Sequence, residues 1–229
     1  SLFYNRMFDE MVIAIDGPAG SGKSTTAKYV AEKLGFIHIN TGAMYRGIAL
    51  KCIEGNINPD HLSDLECLLS QTRFKFGSEG GQDLYMDGVK ISSQITTAEV
   101  TESVSYISAI PMVREKLVEY QRDMADDLDV VLEGRDIGTV VFPNSEYKFF
   151  LNADIYERAK RRMKEMEEKG AFVSLVELSE ELEERDRKDS TREHSPLKKA
   201  KDAIEIDTTG LSIDETVNRI VSIVNKSIK

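Results

Sequence analysis

Tryptophan is absent from this sequence, and cysteine occurs only twice, histidine three times and proline five times in 229 residues. Cys52 and Cys67 carry no C-x-x-C spacing, so a disulfide framework and a thiolate metal site are both excluded as what holds the chain together. Both fall in segments that read as helical, and buried thiols of a reducing cytoplasm are expected rather than a redox pair. His38, His61 and His194 are scattered, which speaks against a structural metal site. No apolar run approaches the ~18 residues that a membrane span requires. Basic residues are also in deficit: thirty Lys and Arg face forty Asp and Glu, for a formal charge of −10. A general nucleic-acid or membrane-surface binder needs a net positive face and is excluded on that balance. Small anionic substrates remain open, because a few arginines can hold a phosphate inside an acidic protein.

What is present is ordinary globular material, 41% apolar and 31% charged, in a length that suits one large domain or one domain with insertions. Residues 1–10 lack the basic start and apolar core of a signal peptide and read as an extension. Residues 11–229 are expected to form a single domain. Val12-Ile13-Ala14-Ile15 is a continuous apolar run, as in a strand buried on both faces. Ala27, Val30, Ala31 and Leu34 then recur at helical spacing up to Gly35, Phe36 to Ile39 is a second strand, and Met44 to Cys52 a second helix. This β-α-β-α opening predicts a parallel α/β sheet.

Between about residues 56 and 95 the pattern changes. Asn58-Pro59 reads as the start of a short polar helix. Arg73 to Phe76 alternates, a Gly80-Gly81 turn follows, and Asp87-Gly88 between Leu84–Met86 and Val89–Ile91 is a type I′ hairpin signal. The stretch is expected to be a small antiparallel insertion. Thr96 with Glu99 reads as a capping box, and a longer helix runs from Pro111 to about Leu128. Val130–Leu132, Tyr147–Leu151 and Ala203–Ile206 are further strands. Asp154 with Glu157, Ser174 with Glu177, and Ser212 with Glu215 open three more helices, the last with a stripe of Ile213, Val217, Ile220, Val221, Val224 and Ile228.

The sharpest signal is Gly17-Pro18-Ala19-Gly20-Ser21-Gly22-Lys23-Ser24, which matches G-x-x-x-x-G-K-[ST] at every defined position. Glycines let the backbone curl so that its N–H groups face phosphate oxygens, and the following helix adds its positive end. Lys23 reaches the β- and γ-phosphates and the Ser24 hydroxyl ligates Mg²⁺ in such a loop; with Thr25 the segment is the expected ATP site. Chance would produce the bare pattern in roughly one chain in a hundred of this length. Its place between a buried strand and an amphipathic helix supports a phosphate-binding loop over a ligand-free turn.

Such a loop serves both switches and kinases. The Asn-Lys-x-Asp base-reading motif of guanine-binding switches is missing, since Asn225-Lys226 is followed by Ser227-Ile228. Asp207-Thr208-Thr209-Gly210 fits D-x-x-G but lies too late in the chain, and turn residues explain it. Arginines favour a kinase. Arg46 follows the second strand, Arg114 lies just beyond Pro111, and Arg135 follows the third strand, where α/β proteins gather their ligands. Arg185, Asp189 and Arg192 share one helical face. Arg158, Arg161 and Arg162 share another, opposite Ile155, Ala159, Met163 and Met166. Phosphoryl transfer needs several cations around a migrating charge, some of them on mobile segments.

At this point the chain resembles the bacterial cytidylate kinases, a family of P-loop nucleoside monophosphate kinases. The stretches that carry it are Ile15 to Ser24, Asn40-Thr41-Gly42-Ala43-Met44-Tyr45-Arg46, Glu133-Gly134-Arg135-Asp136-Ile137-Gly138-Thr139-Val140-Val141-Phe142-Pro143, Glu184-Arg185-Asp186 with Asp189 and Arg192, and Leu211 to Glu215. The resemblance implies a five-stranded parallel P-loop sheet flanked by helices, a monophosphate-binding insertion over about 40–110, and a helical lid over about 154–192. It implies transfer of the ATP γ-phosphate to CMP or dCMP. Thr41, Arg114 and Asp136 would face the cytosine, Ser105, Arg185 and Asp189 the sugar, and Arg46, Arg135 and Arg192 the phosphates. Lys23, Arg135, Arg185 and Arg192 would be catalytic, while Arg158, Arg161 and Arg162 would close on ATP about a hinge at Lys169-Gly170. One departure is Ser190-Thr191, where relatives often carry another basic residue.

The chemistry agrees. A carboxylate such as Asp136 accepts from the cytosine amino group, and a guanidinium such as Arg114 donates to N3 and O2. Uracil would set O4 against the carboxylate, acceptor against acceptor. The alternatives are a sister P-loop kinase acting on UMP, another nucleotide or a hydroxylated metabolite, and a non-enzymatic nucleotide-binding regulator. No exposed apolar stripe demands a partner, so a cytoplasmic monomer is expected.

Overall fold

The structure is a computed structural model that describes residues 10–77, 83–168 and 170–227. In chain order the elements are β1 (Val12–Asp16), α1 (Lys23–Leu34), β2 (Ile37–Asn40), α2 (Thr41–Glu54), α3 (Leu62–Gln71) and β3 (Phe74–Phe76). Next come β4 (Leu84–Met86), β5 (Val89–Lys90), α4 (Ala98–Ile107), α5 (Pro111–Ala125) and β6 (Val130–Gly134). The chain finishes with β7 (Tyr147–Asn152), α6 (Ile155–Glu168), α7 (Leu175–Thr191), β8 (Ile204–Asp207) and α8 (Ile213–Ser227).

The main sheet is parallel, in the order β2-β6-β1-β7-β8. The chain leaves β1 toward one edge and β7 carries it to the other, so β1 sits at the point where the strand order reverses. Open α/β sheets bind ligands there, beyond the carboxyl ends of the strands. The register aligns Asp16 with Gly134, so the loops after β1 and β6 leave the sheet side by side. Ile13, Ile15, Val131, Phe149 and Leu151 pack one sheet face against Ala27, Val30 and Ala31 of α1 and Val217, Ile220 and Val224 of α8. Ala14, Ile39, Val130 and Leu132 pack the other against Val118 and Ala125 of α5. Burial on both faces explains why these strands read as unbroken apolar runs.

The antiparallel sheet has the order β3-β4-β5, and its turn at Asp87 and Gly88 has φ of 52° and 82°, as a type I′ turn requires. It packs with α2, α3, α4 and α5 in a second core around Met44, Ile48, Leu65, Val104 and Leu117. Helices α6 and α7 form a hairpin over a small core of Ala159, Leu178 and Leu182 that also takes in Ala19 of the loop after β1.

Several boundaries differ from the sequence expectation. Asn58-Pro59 belongs to a turn, and α3 starts three residues later as an amphipathic rather than polar helix, with Leu65, Leu68 and Leu69 buried. Thr97, not Thr96, caps α4, because Gln94–Thr96 is already a 3-10 turn and Val100 N bonds to Thr97 Oγ1. Helix α5 stops at Ala125, where Asp126 turns extended. Cys52 is buried as expected, but Cys67 is exposed on the outer face of α3, and both are free. The capping box at Ser174 forms in full, and Ser212 and Glu215 bond reciprocally. Residues 1–9, the Gly80-Gly81 turn, Lys169 and Ile228 lie outside the described residues. Among the described residues no helix is long and apolar enough to cross a membrane.

Candidate active site

The loop after β1 curls tightly over the end of the sheet. Gly20 and Gly22 hold left-handed φ of 74° and 84°, which only glycine adopts freely. A side chain at Gly17 would place its Cβ 2.2 Å from the Leu151 carbonyl oxygen, so the first glycine is demanded by close approach. Helix α1 then starts at Lys23 with its positive end on the loop. Ser21 is fully buried and its hydroxyl has no protein partner. Lys23 folds back so that Nζ donates to the Pro18 carbonyl at 3.2 Å. Burial, reinforced by Arg135 and Arg185, pushes its pKa down to about 7.

Opposite the loop, Glu133 is the last but one residue of β6. Its Oε2 accepts from Ser24 Oγ at 2.5 Å, and its Oε1 lies 3.1 Å from His38 Nε2 of β2. Burial works to raise its pKa, but His38, Lys23 and Ser24 outweigh it and hold the carboxyl low. Ser24 and Glu133 are hard oxygen donors side by side, a set that suits Mg²⁺.

A cleft of about 430 Å³ runs from this loop between α2, α4 and the α6–α7 hairpin. Seven cationic side chains and four carboxylates line it, in a chain whose overall charge is −10. Arg46 donates from Nη1 to the Ile95 carbonyl and to Thr101 Oγ1. Arg135 bonds Asp189 at 2.8 Å, and Arg192 bonds the Ser195 carbonyl while Nη2 stays buried without a protein partner. Arg185 also keeps an unpartnered buried Nε, and burial beside Arg135 lowers its pKa to about 10. Burial favours the protonated form of Asp189, yet Arg135, Arg185 and Arg192 pull its pKa below the usual carboxylate range. Cations crowded together with open donors have the chemistry that a polyanion needs.

At the far end, Arg114 Nη2 donates to Asp136 Oδ2 at 2.6 Å, and Arg114 Nη1 to the Ser108 carbonyl at 2.8 Å. Arg114 and Asp136 are only 3% and 2% exposed, so water scarcely reaches the pair. The Arg114 guanidinium lies 4.9 Å from the Tyr45 ring centre, a cation–π contact on the same group that Asp136 holds. Thr41 donates to the Glu133 carbonyl, leaving its oxygen free to accept, and Ser105 lines the same wall.

Of the residues expected from sequence, Ala19, Gly20, Lys23, Ser24, Thr41, Arg46, Ser105, Arg114, Arg135, Asp136, Arg162, Arg185, Asp189 and Arg192 line this one cleft. Gly17, Pro18, Ser21, Gly22 and Thr25 complete the loop behind it, with Thr25 exposed. The three arginines of α6 are split, contrary to a common face on the cleft. Arg158 is buried behind the loop, bonded to the Ala19 and Ala153 carbonyls and paired with Asp186 at 2.7 Å. Arg161 holds the Thr208 carbonyl at 2.7 Å. Only Arg162 reaches the cleft, because α7 packs close enough to take Arg158 for itself. Glu133, His38, Tyr45 and Asp16 also belong to this region without being among the site residues that the sequence predicts. For Glu133 a signal exists, an acid directly after the buried apolar run Val130–Leu132.

The cytidylate kinase family model matches residues 13–226 of this chain. A cytidylate kinase of Lactobacillus johnsonii is 48% identical over 220 residues, covering 96% of each chain. One from Listeria innocua is 46% identical over 223 residues, covering 97% of this chain and 100% of that one. An uncharacterized protein from Eubacterium ventriosum has a crystal structure that superposes with a TM-score of 0.53 at 14% identity, over 94% of this chain and 99% of that one. That likeness speaks to the fold alone. The phosphate loop, the arginine-lined cleft and a match spanning nearly the whole chain lead to one conclusion: this protein belongs to the cytidylate kinase family.

Proposed function

We propose that the protein transfers the γ-phosphoryl group of ATP to CMP and dCMP, giving CDP and dCDP. The observation that carries this reading is the buried Arg114–Asp136 pair at one end of the cleft whose other end is the phosphate loop. A carboxylate and a guanidinium held side by side present an acceptor and donors in the order that the cytosine edge requires, the N4 amino group against its N3 and O2. Thr41 offers a further oxygen to the amino group, and Ser105, Arg185 and Asp189 line the stretch where the sugar would lie.

The acceptor phosphate of CMP is already an anion, so no general base is needed. The work falls to positioning and charge. Arg46, Arg135 and Arg192 would hold the acceptor phosphate, with Arg135 aimed by Asp189. Lys23 and Arg185 would follow the migrating group and offset its charge where it develops. Ser24 and Glu133 would hold Mg²⁺, which when bound supplies positive charge to the β- and γ-phosphate oxygens. Coupled ADP release with CMP, dCMP, UMP, AMP and GMP as acceptors tests the whole reading. Turnover is expected with CMP and dCMP, slower turnover with UMP, and almost none with AMP or GMP. A sister kinase would prefer another acceptor, and a regulator would release no ADP with any of them.

The α6–α7 hairpin is the lid of this reading. Arg158 and Arg161 anchor its base to the phosphate loop and to Thr208, so that Arg162 is the arginine delivered to ATP. Excluding water strengthens every charge contact inside the cleft. Amide hydrogen exchange from Asp154 to Arg192 is expected to slow when a bisubstrate analogue binds. Unchanged protection over that span would return the hairpin to a static wall.

A further inference from the structure

Asp16 ends β1 one residue before the phosphate loop, yet its carboxylate is spent on a different segment. Its Oδ1 accepts from Ile137 N at 2.9 Å and its Oδ2 from Gly138 N at 2.8 Å. These are the first amides of the turn at residues 137–141, whose internal bonds run from Val140 N and Val141 N back to the Asp136 carbonyl. Amides at the head of a helical turn have no acceptor within it. Asp16 therefore caps a turn 121 residues away in sequence, and the two residues before that turn are Arg135 and Asp136.

The charge of this cap is what calls for explanation. Asp16 is buried and makes no ion pair among the described residues. The charged groups near it are Asp136 and Arg135 on the segment it holds, and Lys148 of β7. The Lys148 stem lies against Gly138, but its ammonium is taken by the Pro143 carbonyl and Asp202. A neutral Asn or Thr could cap one amide at far lower desolvation cost. A carboxylate gives each amide an oxygen of its own and so fixes the direction of the segment as well as its place, whereas a single neutral oxygen would have to serve both.

We infer that Asp16 is a positioning residue for base recognition, holding the turn after β6 so that Asp136 projects into the cleft at the angle the cytosine amino group needs. This rests on the reading of Asp136 as the base contact. Burial raises the Asp16 pKa to about 7 against the pull of the two amides. Protonation turns one of its oxygens into a donor facing an N–H and frees one end of the cap, so base discrimination should weaken as the pH falls through neutrality.

The test is kcat/KM for CMP and for UMP from pH 6 to 8.5, in the parent, Asp16→Asn, Asp136→Asn and the double variant. The ratio cancels the ionisation that the two substrates' phosphates share, and it cancels the fraction of enzyme that is folded. The parent ratio is expected to fall about five- to tenfold from pH 8.5 to 6. Asp16→Asn should show a low, flat ratio, and the double variant should be no less selective than Asp136→Asn alone. An unchanged ratio in Asp16→Asn at pH 8, or fold-changes that multiply in the double variant, would overturn the inference. If Asp16→Asn does not fold, a flat parent profile overturns it and a falling one with a midpoint near 7 supports it. An unchanged ratio in Asp136→Asn would instead overturn the base-contact reading itself, so the two failures are told apart.

Discussion

Replacing Lys23 with alanine is expected to leave a folded protein that has lost phosphoryl transfer by at least a factor of about a hundred. On the proposed reading the ammonium offsets charge on the migrating group, a transition-state contact of the kind whose loss costs ~3 kcal/mol or more. In the free protein burial has pushed its pKa from 10.5 to about 7, while bound phosphates favour the charged form and restore it for the reaction. The same shift sets the stability. Between about pH 7 and 10.5 the folded chain binds fewer protons at Lys23 than the unfolded chain, so this residue makes stability rise with pH across that window. Below pH 7 its cost is present in full. The variant should therefore melt above the parent at pH 6 to 7, where that cost is lifted, and lose the rise at alkaline pH. Steady-state kinetics with CMP and thermal melts across pH 6 to 10 decide it. Turnover within about tenfold of the parent would remove Lys23 from the mechanism.

Much of this architecture is legible in the sequence because buried parallel strands and capped helices leave local marks. Val12 to Ile15 reads as a strand since both of its faces are covered, and Ser174 with Glu177 marks a helix start because the two side chains satisfy each other. The Thr96-Thr97 pair shows the limit. Either threonine could cap α4, and the choice fell to Thr97 because the preceding 3-10 turn uses Thr96 to close itself on Ser93. Cys67 shows another, since helical placement does not say which face of α3 meets the core.

The site was legible where its residues carry chemistry and illegible where they act on one another. Lys23, Arg135 and Arg192 stand out because cations beside a phosphate loop have few other uses. Helical spacing groups Arg158 with Arg162, yet its partners, Ala19 and Asp186, come from the phosphate loop and from the next helix. Glu133 joins Ser24 across 109 positions, and Asp16 reaches Gly138 across 122. Periodicity is a local signal, and contacts of that span exist only once the sheet has set β6 beside β1.

Asp136→Asn should lower the CMP/UMP ratio of kcat/KM by about 5- to 150-fold, as expected for a base contact worth ~1–3 kcal/mol. The geometry sharpens the reason. One carboxylate oxygen, Oδ2, is committed to Arg114 at 2.6 Å, which leaves Oδ1 for the base. An asparagine that keeps its carbonyl on Arg114 must turn its NH₂ to the base, where it meets the cytosine amino group as donor against donor but pairs with uracil O4. Losing the charge of a buried pair also weakens the fold, by less than full removal of one partner because the bond to Arg114 survives. Thermal melts would record that loss, whereas the ratio is blind to the fraction folded. The rival account makes Asp136 a mere prop that keeps Arg114 in place. The asparagine still accepts from Arg114, so on that account activity with CMP and UMP would change by the same factor. A ratio within twofold of the parent would establish the prop and take the base contact away from Asp136.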